Sequence, residues 1–182
     1  MTWLDTQLVE RWVNPSDGRA KLAAAHAEYD KRVAEDDGGQ HARSHVGRAA
    51  QRLSEALRLC GDFEASLHYK DVAIAVWQEQ NKARATFLVQ LQRALVLAEL
   101  GHPDADATMA ALRAQLDADE ATANFYDDFW HQYEARRRIL RNDVEGAAAC
   151  LRRAIDLRCG RRADRIVVWT EQALAALVPS TR

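Results

Sequence analysis

Apolar residues recur at intervals of three and four along almost the whole chain, which is the period of an amphipathic helix. No segment shows the alternation expected of a half-buried strand. The breaks in the pattern predict nine helices. A short one, about Trp3–Val13, ends at Asn14-Pro15, because the residue before proline is pushed out of the helical region. The next starts near Ser16 or Asp17 and runs to Glu35, with Leu22, Ala25, Tyr29 and Val33 on one face, and stops at Asp36-Asp37-Gly38-Gly39. A longer helix then carries Val46, Ala49, Ala50, Leu53, Leu57 and Cys60. Asp62 is placed to cap a helix running to about Gln80, with Leu67, Ile74 and Trp77 as its stripe. Lys82–Leu100 is strongly apolar, with Phe87, Leu88, Leu91, Ala94, Leu95 and Leu97. The remaining helices fall at about Asp104–Leu116, Ala118–Leu140, Asp143–Leu157 and Ala163–Val178.

The stops between helices repeat. Gly61-Asp62-Phe63, Gly101-His102-Pro103 and Asn142-Asp143-Val144 begin forty and forty-one residues apart. A fixed period of this length is the signature of a solenoid, in which each helical pair buries its second apolar face only by stacking on its neighbour.

Composition sharpens this without changing it. Ala, Leu, Arg, Glu and Gln dominate, with only eight Gly and three Pro, so the chain favours helix throughout. At 182 residues it is long enough for one compact domain with a continuous core, and its 48% hydrophobic and 29% charged residues are those of a folded protein. No run approaches a membrane span and Met1–Asn14 lacks the apolar stretch of a signal peptide, so a cytoplasmic location is expected. Cys60, Cys150 and Cys159 form no C-x-x-C pair and read as reduced, mostly packed thiols.

The residues around the stops resemble the tetratricopeptide repeat, in which a helix ends in a Gly-Asp-Tyr-like turn and small residues mark where the hairpin packs closely. Ala50, Leu53, Ser54 and Leu57, then Gly61-Asp62-Phe63, then Ser66, Tyr69 and Ala73 follow that pattern, as do Ala135, Asn142-Asp143-Val144, Ala147 and Ala154. In the middle unit Ala94, Leu97 and Gly101 match, and Ala107 and Ala114 fit after a one-residue insertion near His102-Pro103. The period exceeds the usual thirty-four and the closing proline is missing, as in longer-helix variants of the family. The resemblance covers about residues 45–160. It implies an all-α, right-handed α-solenoid of stacked antiparallel hairpins. Residues 1–44 would supply N-terminal helices and a degenerate first unit, and 161–182 a capping helix and tail, with Ile166, Val167, Leu174 and Leu177 covering the last repeat.

It also implies function. In such repeats the first helix of each hairpin lines a concave groove, whose free face here carries Arg48, Gln51, Glu55 and Arg58 in the first clear unit and Gln132 and Arg136 in the last. The matching middle positions, Leu88, Leu91, Leu95 and Ala98, either add an apolar floor or face the next hairpin. The expectation is a non-catalytic scaffold that docks a partner peptide or helix, without a cofactor or metal, with Trp3 and Trp12 as candidates for a second contact surface or for self-association as a homodimer.

Two other chemistries compete. Residues 131–182 hold eleven Arg against six acids, and Arg136-Arg137-Arg138 with Arg141, Arg152, Arg153, Arg158, Arg161, Arg162 and Arg165 could meet nucleic acid or a phosphorylated segment. Successive helical arginines diverge by about 100°, however, so nucleic acid is not the expected partner. Asp127-Asp128 near His131 resembles the acid pairs that hold magnesium in helical lyases, but lacks a third acid at helical spacing. His41 and His45 share a helical face, yet no Glu follows His41 as a zinc-protease helix requires. They read as solvated surface.

Overall fold

The computed structural model describes residues 2–4, 10–12, 15–159 and 164–177, with side chains described over 16–159 and 167–177. Among these residues eight helices form an all-α body: α1 (Pro15–Ala34), α2 (Gln40–Leu59), α3 (Phe63–Glu79), α4 (Ala83–Glu99), α5 (Ala105–Ala118), α6 (Glu120–Leu140), α7 (Val144–Cys159) and α8 (Asp164–Leu177). Ahead of them two three-residue strands, β1 (Thr2–Leu4) and β2 (Glu10–Trp12), pair in a small sheet. Within the helix expected over Trp3–Val13 the described residues, 3–4 and 10–12, are therefore strand, and residues 5–9 and 13 lie outside the described set. Eleven residues make a marginal helix on their own, and Thr2, Trp3 and Trp12 are residue types that favour strands. The side chains of Trp3 and Trp12 lie outside the described set.

Helices adjacent in sequence pack on one another within two compact units, α1–α4 and α5–α8. What turns the chain so regularly is a left-handed residue after most helices. Gly38, Gly61, Asn81, Gly101 and Asn142 all have positive φ. Gly61, Asn81 and Gly101 fall twenty residues apart. After α2, Asp62 N–H donates to Leu57 O and Gly61 N–H to Arg58 O, each at 3.0 Å, and the same double closure follows α3 at Asn81-Lys82 and α6 at Asn142-Asp143. Asp62 and Asp119 then cap α3 and α6, accepting from the N–H of Ala65 and Thr122. At the α5–α6 junction Asp119 is extended instead, which interrupts the series.

Helices α3, α5 and α7 each carry a buried stripe with spacings of four, three and four. It is Ser66, Lys70, Ala73 and Trp77 in α3; Ala105, Met109, Leu112 and Leu116 in α5; and Ala147, Leu151, Ala154 and Arg158 in α7. The α5 stripe corrects the expected register. Ala107 and Ala114 are exposed, because the buried stripe starts four residues after Gly101, at Ala105, against five after Gly61, at Ser66, where a one-residue insertion had been expected. The other small positions, Ala50, Ser54, Ala94 and Ala135, are fully buried.

The α1–α4 core gathers Val46, Ala50, Ala73, Val76, Trp77 and Val89, with Tyr29 and Ile74 against it. Gly47 sets the approach of α2 to α3: a Cβ there would lie 2.9 Å from Val76 Cγ1 and 3.1 Å from Trp77 Cζ2. Gly47→Ala should lower stability by about 1–2 kcal/mol, because overpacking outweighs the roughly 1 kcal/mol gained in helix propensity. Denaturant titration would read this as a lower midpoint at unchanged slope. An equally stable variant would mean α3 retreats freely. The α5–α8 unit has its own core of Ala135, Ala147, Leu151 and Ala173, with Ile139, Leu174 and Leu177.

Candidate functional site

Within the first unit α2 and α4 are bridged twice. Gln51 Nε2 donates to Gln92 Oε1 at 3.2 Å, and Arg58 Nη1 donates to Glu99 Oε1 at 2.8 Å. Each pair spans forty-one residues, and both pairs advance by seven along both helices. The two helices therefore run parallel and in register, with α3 packed between them in sequence.

This register sorts the expected groove residues. Arg48 is exposed, and Gln51 and Glu55 are half-buried along the α2 edge. Arg58 is only 3% exposed, and Leu91 is fully buried. The spacing of Gly61 and Gly101 aligns Leu91 with Gln51, but the helices themselves align one residue further, so that Gln92 meets Gln51 and Leu91 takes the core position of Ala50. One residue is about 100° of helix rotation. Leu95 enters the core with Leu91, and Leu88 and Ala98 stay half-buried.

Beneath this edge lies an ionic network that the sequence reading did not foresee. Arg58 donates to both Glu55 oxygens through Nε, at 3.0 and 3.1 Å, and to Oε1 through Nη2 at 2.6 Å, while its other arm holds Glu99. Lys70 Nζ sits 3.2 Å from Ser54 Oγ and 3.8 Å from Glu55 Oε2. Ser66 Oγ donates to Ser54 O at 2.8 Å. Lys70 is 0% exposed, and burial pushes its ammonium down to about 8, with Glu55 and Glu99 opposing that shift and Arg58 adding to it. The available signal was the run Ser66, Lys70, Ala73, Trp77 at buried spacing, which puts a lysine on the inner face.

In the second unit the arginines are largely committed to internal partners. Arg158 is buried, with Nε 2.8 Å from Asp128 Oδ2, its other nitrogens on Thr170 and Gln132, and its guanidinium 5.3 Å from the Phe129 ring centre. Gln132 thus faces Arg158, and Arg136 is half-buried. Arg137 and Arg138 both clamp Glu134, Arg137 and Arg141 reach Asp106, and Arg138 reaches Asp143. Burial would raise the Glu134 carboxyl, but the hydrogen bonds from Arg137 and Arg138 more than offset it and hold it below its usual value. Arg152 and Arg153 are exposed; Arg161, Arg162 and the side chain of Arg165 lie outside the described residues.

Asp127 and Asp128 do not converge. Asp127 pairs with Arg113 and lies 3.7 Å from His131 Nε2, whereas Asp128 turns to Arg158. Burial lowers the His131 pKa, Arg113 and Arg153 lower it further, and Asp127 pulls against them. Among the described residues no group of three or more His, Cys, Asp or Glu side chains is arranged to hold a metal ion. None of the described helices is long and apolar enough to cross a membrane.

Of the five tryptophans, Trp77 is core, Trp130 donates to Met109 O at 3.3 Å, and Trp169 stands 67% exposed on α8 beside Val168. The expected cover from α8 comes from Thr170, Ala173, Leu174 and Leu177, with Val167 half-buried and the Ile166 side chain outside the described set. Cys60 and Cys159 are exposed and Cys150 half-buried, so the thiols are less packed than expected, since the first two sit at helix ends. Comparison with protein-family models, with curated proteins and with solved structures finds no match.

Proposed function

We propose that this chain is a protein-binding module of the tetratricopeptide kind, a right-handed stack of helical hairpins that docks a partner segment along the α2–α4 edge and performs no chemistry itself. The observation that supports this reading best is the parallel register of α2 and α4, joined at Gln51–Gln92 and Arg58–Glu99. Helices one repeat apart that run parallel on the same side of their hairpins form a common surface, and a segment laid across them meets side chains from both.

In this reading Arg48, Gln51, Glu55 and Gln92 make the contacts, while Arg58, Glu99 and Lys70 hold the surface rigid from below. Such preorganisation reduces the ordering cost of association. The partner segment would be polar, with acceptors for Arg48 and amide-matching groups for the two glutamines.

Affinity capture from a lysate of the source organism tests this with the full chain beside Arg48→Glu/Gln51→Ala. Arg58 and Leu91 are left intact, because truncating buried residues would confuse unfolding with lost binding. The expected result is a specific protein retained by the wild type and reduced about tenfold or more by the variant, which is 1.4 kcal/mol at the surface. Equal retention by both, with unchanged melting, would remove the α2–α4 edge as the binding surface.

A further inference from the structure

Near the start of α2 the structure brings two imidazoles together. His41 and His45 sit one helical turn apart, with ring centres 4.5 Å apart and rings perpendicular. Their Nε2 atoms face each other at 2.9 Å. Two nitrogens bound at about 2.0–2.1 Å to one ion stand about 2.9 Å apart when they subtend a right angle, and about 3.3–3.4 Å at the tetrahedral angle. The observed separation is the right-angled one, which suits tetragonal or octahedral ions with nitrogen ligands, Ni²⁺ and Cu²⁺.

We propose that His41 and His45 form a binding site for a Ni²⁺- or Cu²⁺-type divalent ion, occupying two adjacent coordination positions and leaving the others to water. The site would act on a helix start that has no side-chain cap. The N-cap of α2 is Gly39, which has no side chain to accept a hydrogen bond from the first turn. An ion bridging His41 and His45 would fasten the first two turns from outside, so metal binding and the order of the α1–α2 junction would rise together.

Nearby Arg32 and Arg48 and the positive end of α2 repel a dication, so affinity must come from coordination.

A plain N–H···N hydrogen bond between one neutral ring and the other has the same 2.9 Å separation, so the test must distinguish the two. Ni²⁺ alone is titrated calorimetrically into the full-length, metal-free protein, because Cu²⁺ would also oxidise the exposed thiols of Cys60 and Cys159. The expected result is one equivalent bound by the wild type and weakened about tenfold or more in both His41→Ala and His45→Ala. Hydrogen exchange of the amides of residues 42–47 should slow with Ni²⁺ in the wild type and in neither variant. His41 is exposed and alanine favours helix, so the variants fold. Binding equal in all three proteins, or no one-equivalent binding to the wild type, would overturn the site and leave the pair as a hydrogen bond.

Discussion

Arg158→Ala is expected to destabilise the protein by about 3–5 kcal/mol, the range seen when one partner of a buried ion pair is removed and the other keeps its charge. Arg158 and Asp128 are both almost fully buried, their contact is 2.8 Å, and the guanidinium also holds Thr170 of α8 and Gln132 of α6. One deletion therefore withdraws a cation from a buried carboxylate and unfastens α8 from α7. Denaturant titration gives the magnitude, and hydrogen exchange should show α8 losing protection before the rest of its unit. The double variant Asp128→Ala/Arg158→Met is expected to recover part of the loss, since it removes both charges together. A coupling above about 1.5 kcal/mol in that cycle would establish the pair as a unit. Singles that each cost under 1 kcal/mol and simply add would show that water reaches the pair.

The same pair explains what could be read from the sequence and what could not. Asp128 and Arg158 lie eighty-one residues beyond Gly47 and Trp77, and Asp143, at the start of α7, lies eighty-one beyond Asp62. At matching places in two hairpins, a glycine lets an indole pack against α2, and a carboxylate meets a guanidinium across α6 and α7. The turn spacing was legible because left-handed residues are few in kind, and Gly61, Gly101 and Asn142 announce themselves. The small buried positions were legible because helix contact selects for size. What failed was register within a residue. A buried stripe that starts one residue sooner after its glycine in α5 than in α3 sent Ala107 and Ala114 outward, and a forty-one-residue helix offset moved Leu91 inward. Periodicity averages over such slips, whereas function depends on them, since each turns a side chain through about 100°. The buried charges were legible only from register: Arg158 and Lys70 are surface residue types by composition, and only their place on an otherwise buried stripe marks them as internal. β1 and β2 escaped for another reason, because three-residue strands are too short to show a period.

Lys70 gives the second large effect, and its signature is a pH slope. In the unfolded chain its ammonium titrates near its ordinary value of 10.5, whereas in the folded protein it is pushed down to about 8. Below pH 8 both states carry the proton, so the full penalty of burying the charge is present. Between pH 8 and 10.5 the unfolded chain binds a proton that the folded protein has released, so stability contributed at this site rises with pH. Across that window the gain is about 3 kcal/mol. Tyr29 and Cys150, both raised by burial, titrate nearby with the opposite sign, so the wild type alone would blur the effect. Lys70→Met removes the ammonium and keeps the stem, and the difference in unfolding free energy between wild type and variant cancels the shared groups. That difference should favour the variant, or be near zero, at pH 7.5 and swing toward the wild type by about 3 kcal/mol at pH 10.5. A flat difference would mean that Lys70 keeps its proton equally in both states, its ammonium held by Ser54 and Glu55 as firmly as by water. In that case the network under the α2–α4 edge would be a true stabilising ion cluster. The expected swing would instead make it a destabilising core feature, kept for the way it holds Glu55 and Arg58 in place beneath Gln51 and Gln92.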